Sequence, residues 1–245
     1  LIDLHRAFYL EMDEAVQMII SVVAISVALG IVFATPEGVM AYPMEFAVLM
    51  APLMVTIGSG FVLHEMAHKL VAIYYGAKAK FKMWTQGIVF MLIMSVIGFL
   101  FAAPGAVYIH ARRITARQNG MISLAGPALN LILVFFFLGL DMVAPVDQYY
   151  TLLLKWEAFA GLGISYGIFS VWKFGAAINL LLALFNTIPA FPLDGSKIYR
   201  WKRSAWLLFT GVTLFIGMGV VGPTIIINWA ILLLIVMIFS KLAFG

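Results

Sequence analysis

Apolar positions dominate this chain in long runs, and polar residues collect in the short stretches between them. The first run covers about 15–34 and stops near Pro36. A second, about 46–75, ends at Gly76. A third covers 88–103 and ends at Pro104-Gly105, and a fourth covers about 121–140. Apolar sequence resumes at Ala158 and reaches Ile188, where Pro189 and Pro192 end it. Two more runs, about 205–221 and 224–239, flank Gly222-Pro223. Runs of roughly 17 residues or more are long enough as helices to cross a hydrocarbon core about 30 Å thick. The pattern predicts one helical membrane unit over 1–245, because only helices or closed barrels satisfy their backbone groups in lipid.

Charge refines the topology. Basic residues cluster at Lys78, Lys80 and Lys82, at Arg112, Arg113 and Arg117, and at Lys197, Arg200, Lys202 and Arg203. The loops at 36–45 and 141–157 are acidic or mixed. Basic clusters favour the cytoplasmic side, so six crossings with both termini inside fit best. The run 88–103 then lies between two clusters on one side, and is expected to enter and return or to lie in the interface. A seventh crossing is the alternative. The residues of 101–108 suit a bent, strand-like segment close to a buried site. The residues at 158–172 either extend a span or form a short helix of their own. The expected class is an all-α polytopic membrane protein with about six transmembrane helices and one re-entrant or strand-like segment.

Composition agrees. Of 245 residues, 64% are hydrophobic and 11% charged, and the mean hydropathy is +1.07. A soluble domain carries about a quarter charged residues. A formal charge of +4 then reflects basic loops facing a bilayer surface, and no nucleic-acid partner is expected. Cysteine is absent, so thiolate metal ligands and disulfides are excluded. The first apolar run is of full span length and follows Glu11, Asp13 and Glu14, which does not read as a cleavable leader.

Within the second run stands His64-Glu65-Met66-Ala67-His68. Residues four apart share a helix face, so both imidazoles can bind one Zn²⁺ through nitrogen. Glu65, between them, suits a general base for an attacking water. With four histidines in the chain, a chance H-E-x-x-H is expected in roughly one such chain per thousand. A charged group at mid-span costs about 2.5–3.5 kcal/mol, so the cluster would be an expensive accident. Gly58, Ser59 and Gly60 just upstream would allow close helix approach.

A catalytic zinc takes three protein ligands and keeps one open position. His5 and His110 read as interfacial residues. Asp194 is the better third ligand: it follows a span broken by Pro189 and Pro192, which cannot continue a regular helix. From His68 to Lys78, ten residues of helix rise about 15 Å, which puts the site inside the bilayer but nearer its cytoplasmic face. Asp194, three residues before Lys197, approaches that same face. Asn130 and Asn186 are amides inside spans. Each could bind a peptide or a developing oxyanion, or simply bond a neighbouring helix.

Three motifs in this order, H-E-x-x-H, Gly126-Pro127-x-x-Asn130 and Asn186-x-x-Pro189-x-x-Pro192-Leu193-Asp194-Gly195, resemble the site-2 protease family of intramembrane zinc metalloproteases. The resemblance covers about 46–200. It implies zinc as cofactor, His64, His68 and Asp194 as its ligands, Glu65 as catalyst, and Asn130 and Asn186 lining the substrate site. The implied partner is a transmembrane protein substrate within the lipid bilayer. Ser196 departs from the family pattern, where many members carry a second glycine. No PDZ-like or CBS-like domain is evident. Two other functions stay open. One is a metal or ion transporter using the same histidines and Asp194. The other is a membrane metalloprotease with a glutamate as third ligand, for which Glu157 is the downstream candidate. Oligomeric state is not legible.

Overall fold

The computed structural model describes residues 10–100, 104–149, 164–165 and 168–244. Helix α1 runs Met12–Ala41 and α2 runs Pro43–Leu53. A π-helical turn, Met54–Gly58, joins α2 to α3, Ser59–Tyr74. Strand β1 (Lys78–Met83), helix α4 (Thr85–Val96) and strand β2 (Gly105–His110) follow, then α5 (Ala116–Val143). A small sheet holds β3 (Asp147–Tyr149), β4 (Ile164–Ser165) and β5 (Ile168–Ser170) in the order β3-β5-β4. The chain closes with α6 (Val171–Asn186), α7 (Asp194–Trp201), α8 (Arg203–Val220) and α9 (Thr224–Phe244).

Among the described residues, four helical stretches have the length and apolarity to cross a membrane: Met12–Ala41, Pro43–Tyr74, Ala116–Val143 and Arg203–Val220. Shorter apolar helices cover Thr85–Val96, Val171–Asn186 and Thr224–Ile238. Large apolar side chains such as Phe136, Leu208 and Phe215 stand on the outside, where a water-soluble globule would be destabilised and a lipid-facing helix is not. The core is built from Ile25, Leu29, Leu49, Leu53 and Ile57 of the first two spans, packed against Phe169, Phe174 and Ala177. Fully burying such a side chain contributes about 1.5–3 kcal/mol in water. In lipid, close packing takes over that role.

The first span stops where the sequence places its end: Thr35, at φ 57° and ψ 157°, breaks α1 just before Pro36, and a second helical piece continues to Ala41. Other elements differ from the sequence expectations at two places. The basic stretch at 78–82 is not a loop but strand β1, antiparallel to β2 with Lys78 opposite His110 and Met83 opposite Gly105. The apolar run from 158 is not helical throughout: residues 168–170 form β5, and helix begins only at Val171. His5, Glu157 and residues 101–103 lie outside the described residues.

The two ends of the segment around α4 meet. Trp84 N–H donates to Pro104 O at 2.9 Å, so the chain leaves β1 and returns to the same place. Between them α4 has 12 residues, about 18 Å of helix, too short for a crossing. The strand expected near 101–108 forms at Gly105–His110.

Acidic residues at the start of α1 tie this hairpin down. Lys80 Nζ meets Glu11 Oε2 at 2.6 Å and Asp13 Oδ2 at 2.9 Å, and its ammonium is held above its ordinary pKa, first by Glu11 and then by Asp13. These pairs are exposed and contribute little to stability. The pair Glu14–Lys69 differs. Both are buried, and Nζ donates to both carboxylate oxygens at 2.7 and 2.8 Å. Removing one partner of a buried pair strands a charge and costs about 3–5 kcal/mol.

Candidate metal centre

Helix α3 presents two polar stripes. Gly60, His64 and His68 recur at four-residue spacing on one face, and Phe61, Glu65 and Lys69 on the next. The histidine stripe faces α5 and α7. The glutamate stripe faces α1 and the β1–β2 hairpin. A single residue's offset thus sends the imidazoles and the carboxylate to different neighbours.

His64 Nε2 and His68 Nε2 lie 3.0 Å apart. Asp194 Oδ2 stands 3.4 Å from the first and 3.0 Å from the second. All three residues are buried, and their ligand atoms lie within 4.8 Å of one another. The far ring nitrogens fix the tautomers. His68 Nδ1 meets the Ile122 carbonyl at 2.7 Å, and a carbonyl can only accept, so Nδ1 carries the proton. His64 Nδ1 meets Asn130 Oδ1 at 2.5 Å. Asn130 Nδ2 donates elsewhere, to Gly60 O at 3.1 Å and Asn179 Oδ1 at 2.9 Å, so its oxygen must accept from His64. As neutral imidazoles, both residues therefore turn an Nε2 lone pair to the same point as a carboxylate oxygen.

With both imidazoles neutral, the three atoms present acceptors to one point, which a cation can occupy. The spacing suits one: nitrogen and oxygen ligands about 2.0–2.2 Å from a tetrahedral zinc are about 3.3 Å apart. Ring N–H groups bonded to carbonyl oxygens are the usual support of a histidine ligand, orienting it and raising its basicity. The donor set thus fits a divalent metal such as zinc.

The surrounding sequence keeps this point clear and in place. A Cβ on Gly126 would lie 2.6 Å from both His64 Nε2 and His68 Nε2, so α5 can approach only through glycine there. Asp194 is the first residue of α7, after a turn that begins at Thr187 where α6 ends. Gly195 lets that turn fold tightly, because a Cβ there would meet Thr187 O at 2.1 Å. Trp206 Nε1 donates to the same Thr187 carbonyl at 2.6 Å, fastening α8 to the turn.

Glu65 does not join the three converging atoms. Its Oε2 accepts from the Val107 N–H of β2 at 2.9 Å. The carboxylate is therefore held beside the histidines by a strand edge.

The sequence candidates separate accordingly. His64, His68 and Asp194 come together, with Glu65 adjoining. Asn130 is fully buried, and its amide is engaged with His64, Gly60 and Asn179. Asn186 Nδ2 donates to Leu182 O one turn back in its own helix. His110 is exposed at the end of β2. Gly60 accommodates the Asn179 side chain, not another backbone: its Cβ would lie 2.5 Å from Asn179 Oδ1.

Sequence reasoning missed Asn179. It is the second amide in the chain from His64, and its Nδ2 donates to Gly175 O at 2.9 Å and reaches Thr56 O at 3.4 Å in the π-helical turn. Its signal was available as a lone amide within an apolar run. The carbonyl of Ile122 carried no signal at all, because any residue supplies one.

Comparison with known proteins agrees with this geometry. The family model described as peptidase family M50 matches residues 52–206. "Putative zinc metalloprotease MJ0611" of Methanocaldococcus jannaschii is 34% identical over 203 residues, covering 82% of this chain and 91% of that one. "Putative zinc metalloprotease YwhC" of Bacillus subtilis is 32% identical, covering 64% of this chain and 70% of that one. "Zinc metalloprotease MJ0392", also of M. jannaschii, is 27% identical over 71% of this chain and 42% of its own length. No solved structure matches. The family model spans all three motifs and the residues that converge at the site, and this chain belongs to peptidase family M50, the site-2 protease family that its motifs resemble.

Proposed function

We propose that this protein is an intramembrane zinc endopeptidase that hydrolyses peptide bonds in or near transmembrane segments of other proteins. His64, His68 and Asp194 are its zinc ligands and Glu65 is its general base. The observation that carries this reading is the convergence of Asp194 Oδ2 on His64 Nε2 and His68 Nε2, which stand with Glu65 on an apolar helix of spanning length. When bound, zinc lowers the pKa of water and polarises a carbonyl.

The chain's own residues supply the rest. Asn130 and Ile122 hold the two imidazoles in the tautomer whose Nε2 can ligate. Glu65 takes a proton from the attacking water at its carboxylate and delivers it to the leaving amine. The Val107 N–H holds that carboxylate in place beside the site. A substrate helix hides its carbonyls in its own hydrogen bonds and must unwind to react. The outer edge of β2 has no further strand beside it among the described residues, and the unwound segment adds there as a strand, alongside Val107, whose own N–H stays with Glu65. Glu65 sits against that edge, which favours a peptidase over a metal or ion transporter, since transport needs no base at a strand edge. A purified sample should cleave a reporter transmembrane substrate, lose activity about a hundredfold or more on chelation, and regain it with zinc. Full activity after the metal has been stripped would refute the reading.

The site is proposed to lie nearer the cytoplasmic face. Pairing of β1 with β2 sets Lys78 opposite His110 and so brings the first basic cluster close to the second, in keeping with a shared side. With no native cysteine, single cysteines report topology cleanly. Probes near Lys80, Arg113 and Lys202 should label from the cytoplasm, and probes near Gly38 and Val146 from the other side. Opposite labelling of Lys80 and Arg113 would overturn the orientation.

A further inference from the structure

The two strands beside the site are held by carboxylates on both outer edges, at the same register. Phe81 of β1 stands opposite Val107 of β2. Neither spends its N–H on the other strand. Phe81 N–H donates to Glu14 Oε1 at 2.8 Å, and Val107 N–H to Glu65 Oε2 at 2.9 Å. This is the non-hydrogen-bonded pair of an antiparallel ladder, whose amides point away from each other. Glu14 and Glu65 therefore face one another across the width of the sheet.

Further contacts fix this arrangement. Gln17, three residues after Glu14 on the same face of α1, accepts from Met83 N–H at 2.9 Å. The Phe81 ring is buried edge-on against Phe61, at 5.8 Å between centroids. Phe61 precedes Glu65 by one turn of α3, and Lys69, the partner of Glu14, follows it by one turn. The buried stripe Phe61, Glu65 and Lys69 thus contacts β1, β2 and α1 in turn.

We propose that Glu14 is a positioning residue for Glu65, acting through the sheet. Its carboxylate fixes Phe81, the strand pairing carries that placement to Val107, and the Val107 N–H sets the Glu65 carboxylate. The Glu14–Lys69 pair holds α1 and α3 at the spacing this needs. The proposal rests on the reading of Glu65 as the base, but its geometric content does not.

The test compares two double variants that both remove the buried charges. Glu14→Gln with Lys69→Met keeps an acceptor for Phe81 N–H; Glu14→Leu with Lys69→Met does not. Amide hydrogen exchange is followed in metal-stripped protein in lipid nanodiscs, for peptides covering 78–83 and 105–110, with 171–186 as an internal control. The leucine variant should exchange about tenfold faster in both strand peptides, as expected when a buried donor loses its acceptor, with the control unmoved. The glutamine variant should exchange like the parent. In zinc-loaded samples, cleavage should fall about tenfold in the leucine variant at unchanged zinc content, and stay near parental in the glutamine variant. Equal exchange in 105–110 for the two doubles would overturn the proposal. If the leucine variant does not fold, Glu14→Asp decides. It retains the charge but shortens the reach to Phe81, so faster exchange in both strands supports the proposal and parental exchange overturns it. Exchange needs no cleavage, so a parent that cleaves nothing would refute the peptidase reading and leave this result standing.

Discussion

Replacing Asp194 with alanine should reduce bound zinc from about one per chain to a tenth of that or less, and His64→Ala and His68→Ala should do the same. The expectation follows from the way the three residues share one point. Asp194 Oδ2 lies 3.0 Å from His68 Nε2 and 3.4 Å from His64 Nε2, and the site offers no fourth His, Cys, Asp or Glu ligand among the described residues. Two imidazoles alone leave a divalent cation short of the three protein ligands that a catalytic site normally provides. The aspartate is also the anionic member of the set, so its loss removes charge compensation in a buried place. Mass-spectrometric metal analysis of each purified variant checks this. Asp194→Ala with parental zinc content would remove it from the ligand set.

Replacing Glu65 with glutamine should leave zinc in place and lower cleavage by about 10²–10⁴-fold, the usual contribution of a positioned general base. Glu65 does not share the point where the other three meet; it accepts from Val107 N–H at 2.9 Å. Glutamine keeps the size and an oxygen able to accept that bond, so the strand edge should stay where it is. What it loses is the ability to take a proton from water. A transporter built on the same histidines would tolerate this change, which makes the substitution a test of function as well as mechanism.

Much of this site was legible in the sequence because helical spacing is rigid. H-E-x-x-H on one helix places both imidazoles on one face whatever surrounds them. Asp194 was reachable because Pro189 and Pro192 mark where a helix must stop, and the structure starts a new helix at Asp194. The hairpin was only half legible. A strand-like segment beside the site was expected near 101–108, but its partner was not. Lys78-Ala79-Lys80-Phe81-Lys82-Met83 alternates charged and apolar side chains with the period of a strand, yet its three lysines drew attention first as a topological signal. Strand β5, Ile168–Ser170, lay hidden in an apolar run, because short apolar runs do not distinguish strand from helix.

What remained out of reach depends on contacts between residues far apart in the chain. Asn130 could be seen to need a polar partner, but nothing in its neighbourhood named His64, 66 residues away. Glu14 and Lys69 are 55 residues apart. In the sequence Glu14 belongs to an acidic stretch before the first apolar run, and Lys69 directly follows His68. Only packing α1 against α3 makes them a buried pair.

The most direct test of the central claim pairs two readouts on one preparation. Parent and Glu65→Gln proteins, reconstituted in the same lipid, are assayed for zinc per chain and for cleavage of one reporter transmembrane substrate. The account predicts about one zinc in both, with cleavage by the parent and almost none by the variant. Equal cleavage by the two at equal zinc content would contradict it.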